Sequence, residues 1–182
     1  FKPVKADTMQ EHEMHAEFID VSKTTIENII ANLDNNIIAV GTTSLRTIES
    51  LYWLGVKESL VRSWESGEKT HRSLHLLQWE AYELSEKNIS TETALQSLLH
   101  WMNENKLEKL IAKTQILIAP GYEFKITKGL ITNFHQPQST LLLLVAALIG
   151  DDWRKVYDYA LQNDFRFLSY GDGSLLWSPS LR

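Results

Sequence analysis

The sequence predicts an α/β protein: a layered α/β/α-type domain with a mixed sheet, plus a helical insertion. Three observations support this prediction. Strand and helix patterns alternate through the first 55 residues, two amphipathic helical patterns fill the middle, and strand patterns resume after residue 113. No internal repeat or low-complexity segment interrupts this order.

The first strand pattern covers residues 14–21. A helix then starts at Ser22 or at Thr24, and its isoleucines and leucine recur along one face. Residues 35–40, NNIIAV, contain a short apolar run that predicts a buried strand, ending at Gly41. The chain therefore begins with the strand–helix–strand rhythm of an α/β layer.

A second helix is predicted over residues 42–54, with Gly55 just past its end. The middle of the chain then changes character. Residues 73–84 and 91–103 each have the apolar spacing of an amphipathic helix. We therefore expect a helical insertion over residues 63–112.

Strand patterns return in the last third of the chain. Residues 114–119 and 122–127 predict two strands around a Pro120–Gly121 turn, and residues 130–134 predict a third. An apolar helix then runs from about Thr140 to Ile149 and is stopped by Gly150, so it should lie in the core.

The end of the chain predicts one more helix and a strand pair. Asp151 has the position of an N-cap, and the helix after it carries an apolar stripe that includes Tyr157 and Leu161. Residues 165–170 and 174–177 are predicted to pair as strands around a Gly-Asp-Gly turn.

Composition excludes several classes of protein. Cysteine is absent from the 182 residues, so neither a disulfide framework nor a Cys-based zinc site is possible. The longest apolar run, residues 141–149, is about half of what crosses a bilayer. The net charge of −5 argues against a large, uniform nucleic-acid-binding surface on this chain. Because it starts at Phe1, we expect a fragment of a longer protein.

Polar residues gather directly before the apolar helix. Asn133 and His135 follow a predicted strand, and Ser139 or Thr140 is suited to cap the helix. In open α/β sheets, ligands bind beyond the carboxyl ends of strands, where helix N-termini offer free N–H groups. The segment is therefore either a binding loop or an ordinary cap with a hydrogen-bonded histidine.

The segment AVGTTSLR has the same strand–glycine–helix arrangement. Thr42, Thr43 and Ser44 supply hydroxyl groups, and Arg46 follows in the first helical turns. Hydroxyls, backbone N–H groups and a guanidinium can together hold a carboxylate or a phosphate. The alternative is an ordinary N-cap beside an exposed arginine.

Two further segments carry titratable groups. His12, His15 and Glu17 lie in HEMHAE, where they suit either a hydrogen-bonding or general-base arrangement or a metal site. Tyr170 and Asp172 lie in SYGDG, which is either a hairpin turn or a cation-binding edge of a cleft.

Four segments occur in the order and style of one enzyme family: HEMHAEF, IIAVGTTSLRTIES, ILIAPGYEFKITKGLITNFHQPQSTLLLLVAALIG and FRFLSYGDGSLL. The chain resembles the C-terminal part of the S-adenosylmethionine:tRNA ribosyltransferase-isomerases of queuosine biosynthesis. The resemblance covers nearly all of it except residues 63 to about 112. It implies that an N-terminal part and an inserted β-barrel domain are absent, and that this piece alone is inactive.

The resemblance implies a cytoplasmic enzyme that uses S-adenosylmethionine as co-substrate and needs no metal. Its partner would be tRNA with 7-aminomethyl-7-deazaguanine at the wobble position, which receives the ribosyl group and becomes epoxyqueuosine. The expected catalytic residues are His135, Glu17, His15 and Asp172. The expected substrate-binding residues are Thr42, Thr43, Ser44, Arg46, Gly121, Tyr122, Asn133, Ser139, Thr140 and Tyr170.

The chain departs from the family pattern at two places. Gln136 and Gln138 stand where the family usually has Leu and Lys, and Gly173-Ser174 stands where it usually has Ala-Met. Losing the lysine removes a point charge from the expected site. Two other hypotheses follow: a non-catalytic or diverged relative that binds S-adenosylmethionine or RNA, and a metal hydrolase that uses His12, His15, Glu17 and His135.

Overall fold

A computed structural model describes residues 14–63 and 74–179 of the chain, and within them six strands form two mixed sheets. One sheet has the order β1-β4-β3, with β1 antiparallel and β3 parallel to β4; the other has the order β2-β5-β6, with β2 parallel and β6 antiparallel to β5. The strands are β1 (Glu17–Ser22), β2 (Ile38–Val40), β3 (His75–Leu76), β4 (Lys109–Thr114), β5 (Gly129–Asn133) and β6 (Gly173–Trp177).

The helices are α1 (Lys23–Ala31), α2 (Thr42–Ser63), α3 (Glu80–Leu84), α4 (Thr91–Glu104), α5 (Thr140–Ile149) and α6 (Asp152–Gln162), with a 3₁₀ turn at Ser85–Lys87. This arrangement confirms the predicted α/β class and the mixed strand pairing. The single predicted sheet is replaced, among the described residues, by two sheets of three strands each.

Local signals account for most element boundaries. Ser22 is the N-cap of α1, since its hydroxyl accepts a hydrogen bond from the Thr25 N–H at 3.1 Å. Ser139 caps α5 in the same way through Leu142, and Gly150 ends that helix with a φ of +62°. These three boundaries lie where the residue types predicted them.

The predicted end of α2 is wrong. The helix runs through Gly55 to Ser63, and a methyl group on Gly55 would overlap the backbone carbonyl of Ala94 in α4. The glycine is therefore required by the close crossing of two helices, and it does not terminate a helix. Trp53 and Leu54, both almost fully buried, belong to the same packed segment.

Several predicted elements are shorter or are absent. Within the predicted helical insertion, residues 74–112 contain α3 and α4, but they also contain β3 and part of β4. Residues 64–73 lie outside the described part of the chain. The strand predicted over 114–119 lies earlier, in β4, and the segment after it is buried extended chain. Neither residues 122–127 nor residues 165–170 form a strand, and β6 pairs with β5 instead.

Helix α6 corrects two details. Asp151 occupies the N-cap position without a capping hydrogen bond, and its carboxylate instead accepts from Arg154 at 3.2 Å. Leu161, predicted to be in the apolar stripe, is 67% exposed, whereas Tyr157 and Ala160 are buried. The helix thus packs along a narrower face than its sequence suggests.

Candidate functional site

A cavity of about 290 Å³ lies where three separate chain segments meet. One segment joins β2 to α2, the second joins β5 to α5, and the third precedes β6. The lining residues are Val40, Gly41, Thr42, Thr43, Ser44, Thr132, Asn133, His135, Gln136, Ser139, Leu141, Leu168 and Ser169. β2 and β5 are parallel neighbours, so the loops after both strands open at the same edge of their sheet.

Two helix N-termini border this cavity. Gly41, with a φ of +87°, turns the chain from β2 into α2 while its N–H donates to the Ile131 carbonyl of β5 at 2.8 Å. Residues 42–44 form the first turn of α2, where backbone N–H groups have no partner within the helix. Ser139 brings the start of α5 to the same space, so two positive helix ends face one cavity.

His135 is the titratable residue of the lining. Its Nε2 lies 3.0 Å from the Thr132 hydroxyl, and its backbone N–H donates to the Tyr157 hydroxyl at 3.0 Å. Burial lowers the pKa of the imidazole below its usual value because it disfavours the charged form. His135 is therefore neutral at neutral pH, which is the state that can accept a proton.

The third segment closes the cavity with an unusual backbone. Leu168 has a φ of +71°, rare for a residue with a large side chain, and its N–H donates to the Phe134 carbonyl at 2.9 Å. Asn133 extends from β5 and donates to the carbonyls of Gly171 and Asp172 at 3.2 and 3.4 Å. The turn before β6 is thus tied to the loop that carries His135.

The structure brings together six of the residues predicted for the site: Thr42, Thr43, Ser44, Asn133, His135 and Ser139. Thr140 is next to them, as the first residue of α5. They come from two chain regions about 90 positions apart. The sequence suggested that these regions are neighbours, and the structure places them around one cavity.

Glu17 and Arg46 do not line the cavity. The Arg46 guanidinium is buried, donates from Nη1 to the Glu17 carboxylate at 2.7 Å, and donates from Nε to the Ile116 carbonyl at 3.2 Å. It therefore joins α2 to the sheet of β1 and β4. The prediction that Arg46 holds an anion in the pocket is not supported by this orientation; its Nη2 is buried without a hydrogen-bond partner among the described residues.

The remaining predicted residues lie elsewhere. Tyr170 is 97% exposed, and His15 is also exposed. The Asp172 carboxylate accepts from the Arg166 N–H at 2.7 Å, a bond that lowers the pKa of Asp172. It therefore organises the turn before β6, and its side chain is not part of the cavity lining.

Tyr122 belongs to a second polar cluster, the Glu49 cluster, which the sequence did not reveal, and Gly121 precedes it in the chain. Gly121 occupies the predicted turn with a φ of +98°. Glu49 of α2 is fully buried, and its carboxylate accepts from the Tyr122 hydroxyl at 2.9 Å and from the N–H groups of Lys125, Ile126 and Thr127 at 2.8–3.1 Å.

Burial and the nearby Glu49 carboxylate raise the pKa of Tyr122 well above its usual value, so its hydroxyl stays protonated as a donor. That hydroxyl also accepts from the Trp53 indole N–H at 2.7 Å. Four donors thus compensate one buried negative charge. This explains why residues 122–127, predicted as a strand, wrap around a side chain instead.

Thr132 and Gln136 are lining residues that the sequence interpretation missed. Strand alternation offers a signal for Thr132: it faces opposite to Asn133 and only 8% of it is exposed, so a polar residue is buried at the end of β5. Gln136 belongs to the polar segment before α5 and departs from the family pattern, and its place in the lining gives that departure a location.

Among the described residues, no three His, Cys, Asp or Glu side chains approach closely enough to hold a metal ion, and His12 of the metal hypothesis lies outside that part of the chain. Likewise, no helix within residues 14–63 and 74–179 has the length and apolarity needed to span a membrane.

A family model described as "Queuosine biosynthesis protein" matches residues 1–176. The chain belongs to this family. Queuosine biosynthesis proteins were the family that the four sequence segments indicated, and that prediction is confirmed.

Similar proteins share one description. The S-adenosylmethionine:tRNA ribosyltransferase-isomerase of Cereibacter sphaeroides is 35% identical over 97% of this chain and 37% of its own length. That of Finegoldia magna is 34% identical, over 97% of this chain and 38% of its own length. The crystal structure of S-adenosylmethionine tRNA ribosyltransferase from Thermotoga maritima aligns with a TM-score of 0.52 and 29% identity, over 87% of this chain and 39% of that one. The chain thus spans less than two fifths of these relatives' length.

Proposed function

We propose that this chain carries the reaction cavity of an S-adenosylmethionine:tRNA ribosyltransferase-isomerase. In this reaction the ribosyl moiety of S-adenosylmethionine is transferred to 7-aminomethyl-7-deazaguanine at the tRNA wobble position and isomerised to give epoxyqueuosine. The observation that carries the proposal is the meeting of His135, Thr43 and Asn133 around one cavity, in a chain that belongs to the queuosine family. A tRNA substrate makes the cytoplasm the proposed compartment.

His135 is the proposed base. The reaction requires removal of a proton next to the sulfonium, and a neutral imidazole can accept it. Burial keeps the His135 pKa low, and the ring is already held by Thr132. Glu17, the other residue considered for proton transfer, is engaged by Arg46 instead, which favours His135.

The helix ends are the proposed anchor for an anionic group, either the methionine carboxylate or a tRNA phosphate. The first turn of α2 offers backbone N–H groups and the hydroxyls of Thr42, Thr43 and Ser44, and the start of α5 adds a second positive dipole end. Because the Arg46 guanidinium is directed to Glu17, this anchor relies on dipoles and hydroxyls. We propose no metal.

Replacing His135 with Asn tests the proposal. Loss of a general base typically slows a reaction on the order of 100-fold or more, so we expect adenine release from S-adenosylmethionine to fall by about that factor. The assay uses the complete polypeptide that contains residues 1–182, radiolabelled S-adenosylmethionine and a tRNA anticodon stem with the 7-deazaguanine base. His100→Asn is the matched control, since His100 is exposed and lies 3.3 Å from Glu104 on the same helix. Near-normal turnover in His135→Asn would exclude His135 as the base.

A relative that binds S-adenosylmethionine or RNA without chemistry is the second candidate. The observation that favours it is Gln136 in the cavity lining, next to Gln138, at positions where the family usually carries Leu and Lys. Calorimetric binding of S-adenosylmethionine with no adenine release, in the wild-type protein with modified tRNA present, would support this candidate against the first.

A further inference from the structure

We propose that Thr132 is a positioning residue: it holds neutral His135 as the Nε2–H tautomer, so that Nδ1 is the nitrogen that meets the substrate. This inference rests on the proposed function, because it specifies how the proposed base is presented. It concerns a residue that no family motif singled out.

The geometry restricts the ring first. Nε2 is 3.0 Å from the Thr132 hydroxyl, and the backbone at His135 is held by the Tyr157 hydroxyl at 3.0 Å. The preceding carbonyl, of Phe134, accepts from Leu168. Main chain and one ring nitrogen are therefore both fixed. No hydrogen bond from the described residues reaches Nδ1, and His135 itself lines the cavity.

Electrostatics then chooses between the two tautomers. If Thr132 donated to Nε2, the hydrogen would sit on Nδ1 and point a positive N–H toward the cavity. The N-termini of α2 and α5 border that cavity and carry partial positive charge. An Nδ1 lone pair is attracted to this field, whereas an N–H is repelled. The field therefore favours Nε2–H donating to the Thr132 oxygen, which leaves Nδ1 free to take a proton.

Nitrogen NMR measures the tautomer without any substrate. In the chain labelled with ¹⁵N-histidine and held at pH 8, long-range ¹H–¹⁵N spectra distinguish a protonated ring nitrogen from one with a lone pair. The His135 signals are assigned by their loss in His135→Gln. We expect Nδ1 of His135 to carry the lone pair in the wild type, with a hydrogen-bonded Nε2–H that exchanges slowly with water. Thr132→Val should make that proton exchange faster, because its acceptor is lost, and Thr132→Ser should restore the wild-type pattern.

Thr127→Val is the matched control, because Thr127 is also a buried threonine but its hydroxyl makes no hydrogen bond among the described residues. Valine keeps the shape of threonine, and the dispersion of the amide spectrum reports whether each variant folds. A wild-type ring protonated at Nδ1, or an Nε2–H of Thr132→Val that exchanges with water as slowly as in the wild type, would overturn the inference.

Activity provides the second measurement. For adenine release in the complete polypeptide, Thr132→Val should lower kcat by roughly tenfold or more with little change in KM for S-adenosylmethionine, since a ring without its hydrogen bond at Nε2 is no longer held in the orientation of the base. Thr132→Ser should recover most of the rate. An unchanged kcat in Thr132→Val would refute the positioning role. If the tautomer behaves as expected and the wild type releases no adenine, the proposed reaction fails while the tautomer assignment stands.

Discussion

Helix α2 contacts two polar clusters, and they differ in whether the protein itself satisfies their polar groups. At its first turn, Thr42, Thr43 and Ser44 face an open cavity together with His135. Two turns further on, the Glu49 carboxylate is fully buried and receives four hydrogen bonds from the chain. A polar group whose partners are all internal maintains the fold, whereas one that faces a cavity is available to a ligand.

Replacing Glu49 with Gln should have the largest effect on stability. The amide presents N–H groups to two of the four donors, which leaves buried N–H or O–H groups without partners. We expect the free energy of unfolding to fall by about 3 kcal/mol, measured by urea denaturation. Glu123→Gln is the control, since that carboxylate is exposed and forms a surface ion pair with Lys125. A Glu49→Gln loss no larger than the control's would contradict the assigned structural role.

Gly55→Ala tests the packed half of α2 by another route. The new methyl group would overlap the Ala94 carbonyl, so α2 and α4 must separate. Overpacking of this kind costs about 1–3 kcal/mol, partly offset by the better helix propensity of alanine. Thermal unfolding should show the loss, and Gly173→Ala should not, because a methyl group there meets its nearest atom at an ordinary 3.7 Å. A Gly55→Ala protein as stable as the wild type would show that the helices do not cross this closely.

The smallest expected effect is the contribution of His135 to the pH dependence of the free energy of unfolding. The pKa of His135 is lowered in the folded protein, so between that pKa and the unfolded value of about 6.5 the unfolded chain binds the extra proton. Stability from this source is complete above pH 6.5 and declines as the pH falls through that value. Urea unfolding at pH 7.5 and 5.5 should therefore show a larger acid loss in wild type than in His135→Gln, which cannot titrate. Equal losses would mean that burial does not disfavour the imidazolium.

The residues around the cavity were more predictable from the sequence than the Glu49 cluster. Ser139 and Gly150 are local signals, and the hydroxyls after Gly41 mark a helix start whatever the rest of the chain does. The fate of Glu49 depends on donors more than 70 positions away, and no local pattern distinguishes a buried glutamate from a solvated one. The role of Gly55 was predicted wrongly for the same reason, because the contact that requires a glycine there is with the backbone of Ala94 on another helix.

Arg46 shows the limit of spacing arguments most directly. Its position after three hydroxyl residues suggested a shared anion site. The direction of its side chain is instead set by hydrogen bonds to Glu17 of β1 and to the Ile116 carbonyl just after β4. Spacing along one helix determines which residues share its first turns. It does not fix which of the surrounding elements each side chain meets.

Gly41 has a consequence for how this cavity tolerates substitution. A side chain there would have room, because nothing lies within 4 Å of where its Cβ would be, so crowding is not what excludes it. The penalty comes from the backbone angle alone, and it would fall on alanine about as heavily as on a large residue. Asparagine, which accepts positive φ more readily, would be the least disfavoured replacement. At this edge of the cavity, substitution is thus limited by the backbone φ angle of Gly41 and not by a lack of space.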